Sequence, residues 1–126
     1  MIYKKLLEFQ KLNITIEKDA INPHFKNSYS SLNEVLSKVK PVLNNLGVLI
    51  VQSPSPEGVF TQIIDTEDDT KIDSFVPYVN ATDMQKLGGA ITYARRYSLV
   101  SMLGLEDADD DGNTAAAPET VPTIRR

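Results

Sequence analysis

The stretch "LGGAITYARRYSL", residues 87 to 99, sets two adjacent glycines and two adjacent arginines between tyrosines inside a segment of helical pattern. A guanidinium offers a phosphate a charged fork of donors, and a tyrosine ring offers a base a flat face. Together these contacts hold an unpaired polynucleotide without reading its sequence. On a helix, Gln85, Gly89, Thr92 and Arg96 form one stripe, and Lys86, Ala90, Tyr93 and Tyr97 the next. Arg95 and Arg96 lie about 100° apart. One is therefore expected to brace the fold through an ion pair with an acid of the middle segment, while the other points outward. Gly88 and Gly89 each cost roughly 1 kcal/mol against alanine inside a helix. Close helix–sheet packing is one offset, and approach of a phosphate to N–H groups near the positive helix end is another.

A second group lies in "NPHFKNSYSSL", residues 22 to 32, where Phe25 and Tyr29 are interleaved with His24, Lys26, Asn27 and Ser28. Asn22-Pro23 is a turn-forming pair, and aromatic plus cation on a loop suits base stacking and phosphate clamping. The plainer alternative is a loop pinned to the core by Phe25, with His24 a surface residue.

Other chemistry finds little support. Asp107, Asp109, Asp111 and Gly112 match the first, third, fifth and sixth positions of a calcium-binding hand, but Pro118 stands where the twelfth-position glutamate belongs and Glu119 comes one place late. No metal site is expected. There is no cysteine, which excludes thiolate nucleophiles, cysteine-held zinc and disulfides and suits a reducing cytoplasm. Neither a Gly-x-Ser-x-Gly elbow nor a glycine-lysine phosphate loop is present. Neither an enzyme nor a cofactor is expected, and ATP-driven strand exchange is disfavoured.

The net charge of −4 on 126 residues is misleading until divided along the chain. From Glu106 onward six acids face only Arg125 and Arg126, so this tail alone accounts for −4. Residues 1–45 hold seven lysines against four acids, and residues 83–105 hold Lys86, Arg95 and Arg96 against Asp83. Two basic segments thus flank an acidic middle, and local sign matters more than the total. No apolar run is long enough for a signal peptide or a membrane span; a cytoplasmic protein is expected.

The elements that must position these residues read as follows. Ile2, Leu6 and Phe9 share a stripe over residues 2–12, predicting a short amphipathic helix. Residues 13–31 have no sustained period and read as an irregular loop. Ser31 and Glu34 form a capping box ahead of a helix with Leu32, Val35, Leu36, Val39, Leu43 and Leu46 inward and Gly47 at its end. Pro41 should kink this helix or begin a new turn. "VLIVQ", "VFTQIID" and "KIDSFVP" are rich in branched and aromatic residues and separated by turn compositions, which predicts a three-stranded antiparallel meander. A second capping box, Thr82 with Gln85, opens a long helix to about Leu103, with Met84, Leu87, Ile91, Ala94 and Met102 as its buried stripe. The expected fold class is α+β: N-terminal helices, a β-β-β-α core and an acidic tail too polar to order itself. Residues 1–105 form the domain and residues 106–126 the flexible tail.

Three segments together, "NPHFKNSYSSLNEVLSKVKPVLNNLGV", the strand region ending in proline, and "MQKLGGAITYARRYSLVSMLGLEDADDDGN", resemble in order and spacing the ERF family of phage and prophage recombination proteins. The resemblance covers about residues 16–113. It implies ATP-independent binding of single-stranded DNA, annealing of complementary strands, and assembly into a ring or filament of identical subunits alongside host or phage recombination proteins. A β-β-β-α core comparable to that of eukaryotic annealing proteins has been proposed for such families. The signature positions carried onto this chain are Asn22, Pro23, Phe25, Lys26, Tyr29, Gly88, Thr92, Tyr93, Arg95, Arg96 and Tyr97. With Lys86 and Gly89 from the helical stripes, the DNA-contact candidates are Phe25, Lys26, Tyr29, Lys86, Gly88, Gly89, Thr92, Tyr93, Arg95, Arg96 and Tyr97. The competing readings are a scaffold module acting through its acidic tail, and a metal-dependent nuclease built on Asp107, Asp109 and Asp111.

Overall fold

A computed structural model describes residues 1–22, 26–79 and 81–107; the expectations for Pro23, His24, Phe25 and the acidic run beyond Asp107 lie outside them. The elements follow in the order α1 (Ile2–Lys11), β1 (Thr15–Ile16), β2 (Ala20–Ile21), β3 (Ser28–Tyr29), α2 (Leu32–Asn45), β4 (Val48–Pro54), β5 (Gly58–Asp65), β6 (Lys71–Pro77), α3 (Met84–Leu103) and β7 (Glu106–Asp107). The architecture is α+β. Strands β4, β5 and β6 form the antiparallel meander, with Val51 opposite Gln62 and Thr61 opposite Ser74. Alternation along β5 turns Val59, Thr61, Ile63 and Asp65 to the helices, while Phe60 and, on β6, Phe75 stay exposed on the far face. Gly58 ends this ladder against Pro77, where a Cβ would collide with the backbone of Val76 and Pro77.

The core gathers Ile2 and Phe9 of α1, Val35, Val39 and Leu43 of α2, Val48 and Ile63 of the sheet, and Leu99 and Leu103 of α3. The predicted stripes of the first two helices are therefore the buried ones. Helix α2 continues through Pro41; Ser37, whose carbonyl loses its donor there, is exposed and so open to solvent. Gly47 has the left-handed φ of 82° that ends this helix.

Several readings change. The predicted irregular loop carries β1, which pairs in parallel with β7, and a hairpin in which Ala20 faces Tyr29 and Ile21 faces Ser28. Glu106 and Asp107, placed by composition in the tail, form the second strand of the first of these ladders. The Ser31 capping box is half made: Ser31 Oγ accepts from Glu34 N at 3.1 Å, but the Ser31 N–H donates to Asp19 Oδ1 at 2.8 Å. Glu34 Oε2 instead accepts from Glu17 N and Lys38 Nζ. Asp19 and Glu34 thereby staple the hairpin segment to the start of α2, and both carboxyls are held below their ordinary range, Asp19 chiefly by Ser31 and Glu34 chiefly by Lys38.

Helix α3 is capped by Asp83, whose carboxylate accepts from Lys86 N at 2.8 Å, rather than by Thr82. A charged carboxylate is the stronger cap. Met84 is 81% exposed. Fully buried residues begin only at Ala94, continuing with Ser98, Leu99 and Leu103, so the first turns of the helix stand clear of the core. No helix among the described residues is long and apolar enough to cross a membrane.

Candidate nucleic-acid interface

The hairpin and α3 converge. The Arg96 guanidinium carbon lies 4.9 Å from the centre of the Tyr29 ring and 5.6 Å from that of Tyr93, so one arginine bridges the two elements through both rings. Tyr93 in turn stacks on Tyr97, with centres 5.7 Å apart and planes 16° from parallel. Tyr29 and Tyr93 keep 36% and 45% of their surface exposed. Burial pushes the Tyr93 phenol up against the opposing pull of Arg96, so the ring is neutral at physiological pH. The staples at Asp19 and Glu34 set where Tyr29 stands, because β3 ends two residues before the Ser31 cap.

Arg95 does the bracing, but not through an acid. Its Nε donates to Gln52 Oε1 at 3.2 Å, and Gln52 Nε2 donates to the Arg95 carbonyl and to the buried Thr61 Oγ1, both at 3.0 Å. The expected ion pair is replaced by a neutral clamp that ties α3 to β4. An acid is unnecessary there, since a half-buried guanidinium keeps partial hydration while the amide fixes its direction.

Three acids of the middle segment, Asp65, Glu67 and Asp68, are engaged with the N-terminal segment instead. The buried Asp65 pairs with Lys5 at 2.8 Å and with the Met1 ammonium at 2.9 Å, and Lys5 also reaches Glu67. Lys38 is paired with Glu34. The lysine-rich N-terminal segment is thus partly spent on structure. Among the candidates, Lys26 is exposed at the hairpin turn with a φ of 56°, and Lys86 is exposed on α3.

Gly88 and Gly89 are exposed, and a Cβ at either would meet nothing within 4 Å. Packing within the chain is therefore not their reason. As the fifth and sixth residues of α3 they lie beyond the unpaired N-terminal N–H groups, so they do not present those donors to a phosphate either. Thr92, on the same exposed side, donates its hydroxyl to the Gly88 carbonyl at 3.2 Å. What the glycines leave is a smooth strip of helix that an incoming chain can approach closely. Gly88→Ala and Gly89→Ala are expected to raise stability by roughly 0.5–1 kcal/mol each, read as a higher thermal midpoint, while lowering affinity for whatever lies on that strip.

A groove of about 270 Å³ opens between the end of β6 and α3, lined by Pro77, Tyr78, Val79, Lys86, Ala90 and Tyr93. The sequence reading picked out Lys86 and Tyr93 but missed Pro77, Tyr78 and Val79; the signal was an aromatic residue directly after a strand-ending proline. Gln52 was missed as well, and no pattern at the sequence level marks it.

A family model described as the ERF superfamily matches residues 2–123, nearly the whole chain. The chain belongs to the ERF superfamily. Comparison with curated proteins and with solved structures finds no match. ERF proteins are single-strand annealing proteins of phage recombination, generally without catalysis, and single-stranded DNA is the ligand the family implies. The convergence of Tyr29, Arg96, Tyr93 and Tyr97 is this ERF chain's arrangement of cation and ring. Among the described residues no cluster of acids and histidine gathers to hold a metal ion.

Proposed function

We propose that this chain binds single-stranded DNA along the surface formed by Tyr29, Arg96, Tyr93 and Lys86 and anneals complementary strands without ATP. The observation that carries the reading is the Arg96 guanidinium set against rings from two separate elements, Tyr29 on the hairpin and Tyr93 on α3. Such a surface neutralises phosphate and offers stacking faces without base-edge donors in a fixed array, which suits a strand of any sequence. Each subunit brings few cations, so useful affinity requires several copies along one strand, each adding phosphate contacts. That arithmetic favours a homo-oligomer, a ring or a filament, and its working place in this reading is the cytoplasm. Annealing then needs only charge neutralisation, because base pairing itself supplies the selection.

The test is annealing of complementary labelled oligonucleotides without nucleoside triphosphate, followed by energy transfer, with light scattering to report subunit number. Acceleration that ATP does not alter, by an assembly larger than a monomer, supports the reading; strands that pair no faster than in buffer refute it. Removing residues 108–126 keeps β7 and strips like charge, so DNA affinity should persist or rise. Under the alternative reading of a scaffold that acts through its tail, the same removal should instead abolish binding of a basic protein partner.

A further inference from the structure

Two apolar surfaces are left uncovered, in different layers of the fold. The helices cover one face of the meander; the other presents Leu49 and Val51 of β4, Phe60 and Ile64 of β5 and Phe75 of β6. Leu49, Phe60 and Phe75 are exposed, and the Phe75 ring lies against Gly58, where a Cβ would come within 2.7 Å of it. The second surface is the side of α1 turned away from the buried Ile2 and Phe9. There Tyr3 and Leu7, one turn apart and each more than half exposed, stand beside Lys4 and Lys11. Apolar patches rimmed by charge mark interaction sites. The two rims have opposite sign. Lys4 and Lys11 outnumber Glu8 on α1, whereas Glu57, Asp69 and Asp73 outnumber Lys71 around the open sheet face. None of these seven residues forms an ion pair among the described residues. With acids in excess, the sheet face is no second track for phosphates.

We propose that the outer side of α1 on one copy of the chain docks on the open sheet face of the next. The inference rests on the reading above, that several copies line up on one strand, and names the contact between them. Two different patches make a heterologous contact, which repeats from copy to copy and closes into a ring or runs on as a filament. The sizes agree. Three strands of seven or eight residues give a face of about 24 Å by 14 Å. The ten residues of α1 make a rod about 15 Å long. Tyr3 and Leu7 then meet Phe60 and Phe75, while Lys4 and Lys11 reach acids at the rim. A contact of that extent falls below the ~1,200 Å² at which stable interfaces begin. It is therefore weak for one pair and reinforced where neighbours share a strand. Neither patch includes Tyr29, Tyr93 or Arg96, so the strand-binding surface stays free.

The chain has no cysteine, so introduced thiols report the contact directly. Leu7→Cys and Phe75→Cys are made in separate copies of the full chain, mixed with and without oligothymidylate, and treated with a short bismaleimide. Joined dimers holding one copy of each variant are expected, at least about tenfold more abundant than from either variant alone. The double variant should give a ladder of longer products. Leu7→Glu, at an exposed position outside the core, should raise about tenfold the protein concentration needed for assembly in light scattering. Phe75→Cys copies joined to one another would show a sheet-to-sheet pair, and Leu7→Cys copies joined to one another a helix-to-helix pair; either overturns the proposal. No product from the mixture, with assemblies that Leu7→Glu does not weaken, places the contact elsewhere and overturns it while the strand reading stands. A chain that stays monomeric on a strand it binds removes both the contact and the need for several copies. Strands that anneal no faster than in buffer refute the annealing reading even where the mixed dimers form and the contact stands.

Discussion

Replacing Arg96 by alanine is expected to weaken binding to single strands of every sequence by about tenfold per engaged subunit and to lower the slope of log K against log salt by about 0.7 for each. The size follows from three contributions lost together. A phosphate loses its cation, and the Tyr29 and Tyr93 rings lose the guanidinium that holds them in one surface, each such contact being worth ~0.5–2 kcal/mol. Arg96→Lys separates these contributions. It keeps the charge, so the salt slope should stay near the wild-type value, but an ammonium does not stack, so affinity should still fall. Titrations at several salt concentrations read both quantities. Equal slopes for wild type and Arg96→Ala would show that this guanidinium meets no phosphate. Lys26→Ala should behave likewise, with a smaller loss, because Lys26 is exposed at the hairpin turn and, among the described residues, makes no ring contact of the kind that Arg96 makes.

The second large effect concerns stability. Asp65 is fully buried at the end of β5, where its carboxylate accepts from Lys5 Nζ at 2.8 Å and from Glu67 N at 2.9 Å, and pairs with the Met1 ammonium. Lys5 first, then the terminal ammonium and the backbone N–H, hold the Asp65 carboxyl far below the usual carboxylate range. A group depressed in the folded state contributes stability above its unfolded pKa of about 3.9, and that contribution is lost as pH falls through the folded value. Its partners run the other way. The Met1 ammonium and Lys5 are raised above their ordinary 8.0 and 10.5, chiefly by Asp65, so their contribution is present below those values and lost as pH rises through the folded ones. Stability should therefore be greatest between about pH 4 and 8. Asp65→Asn leaves two cations facing a neutral amide and should lower the thermal midpoint at neutral pH by about 10 °C. The gap between variant and wild type should narrow as pH falls below about 4, where the unfolded carboxylate takes up its proton, and go on narrowing as the solution becomes more acid. Melting curves across pH measure this, and a gap independent of pH would contradict it.

Much of the scaffold was legible because long elements announce themselves by period. Val35, Val39 and Leu43 recur at helical spacing and are all buried, and the branched-residue runs at 48–52, 59–65 and 71–77 are the three strands of the meander. The two-residue strands were not legible. Thr15–Ile16 and Ala20–Ile21 pair with partners fixed by tertiary docking, and two residues carry no period. Met84 fits the apolar stripe of α3 on paper but is exposed, because periodicity reports a face and not how far the covering sheet extends.

The candidate site was legible in composition and only partly in geometry. That Tyr29 and Arg96 belong together followed from residue types on two segments far apart in sequence; their contact depends on Asp19 and Glu34 pinning the hairpin to α2, which no local pattern encodes. Arg95 braces the fold, with a neutral glutamine doing what an acid was expected to do, while Arg96, expected to point outward, is half-buried against two rings. Of the remaining candidates, Gly88, Gly89 and Thr92 lie on the exposed side of α3, Lys26 at the hairpin turn, and Phe25 outside the described residues.

Photo-crosslinking of the full chain to oligonucleotides carrying 5-iododeoxyuridine, with the joined residues read by mass spectrometry, asks most directly where the strand lies. Adducts at Tyr29, Tyr93 or Tyr97 are predicted, reduced in Arg96→Ala. Adducts confined to Phe60 and Phe75, on the opposite face of the sheet, would place the strand there and contradict the account.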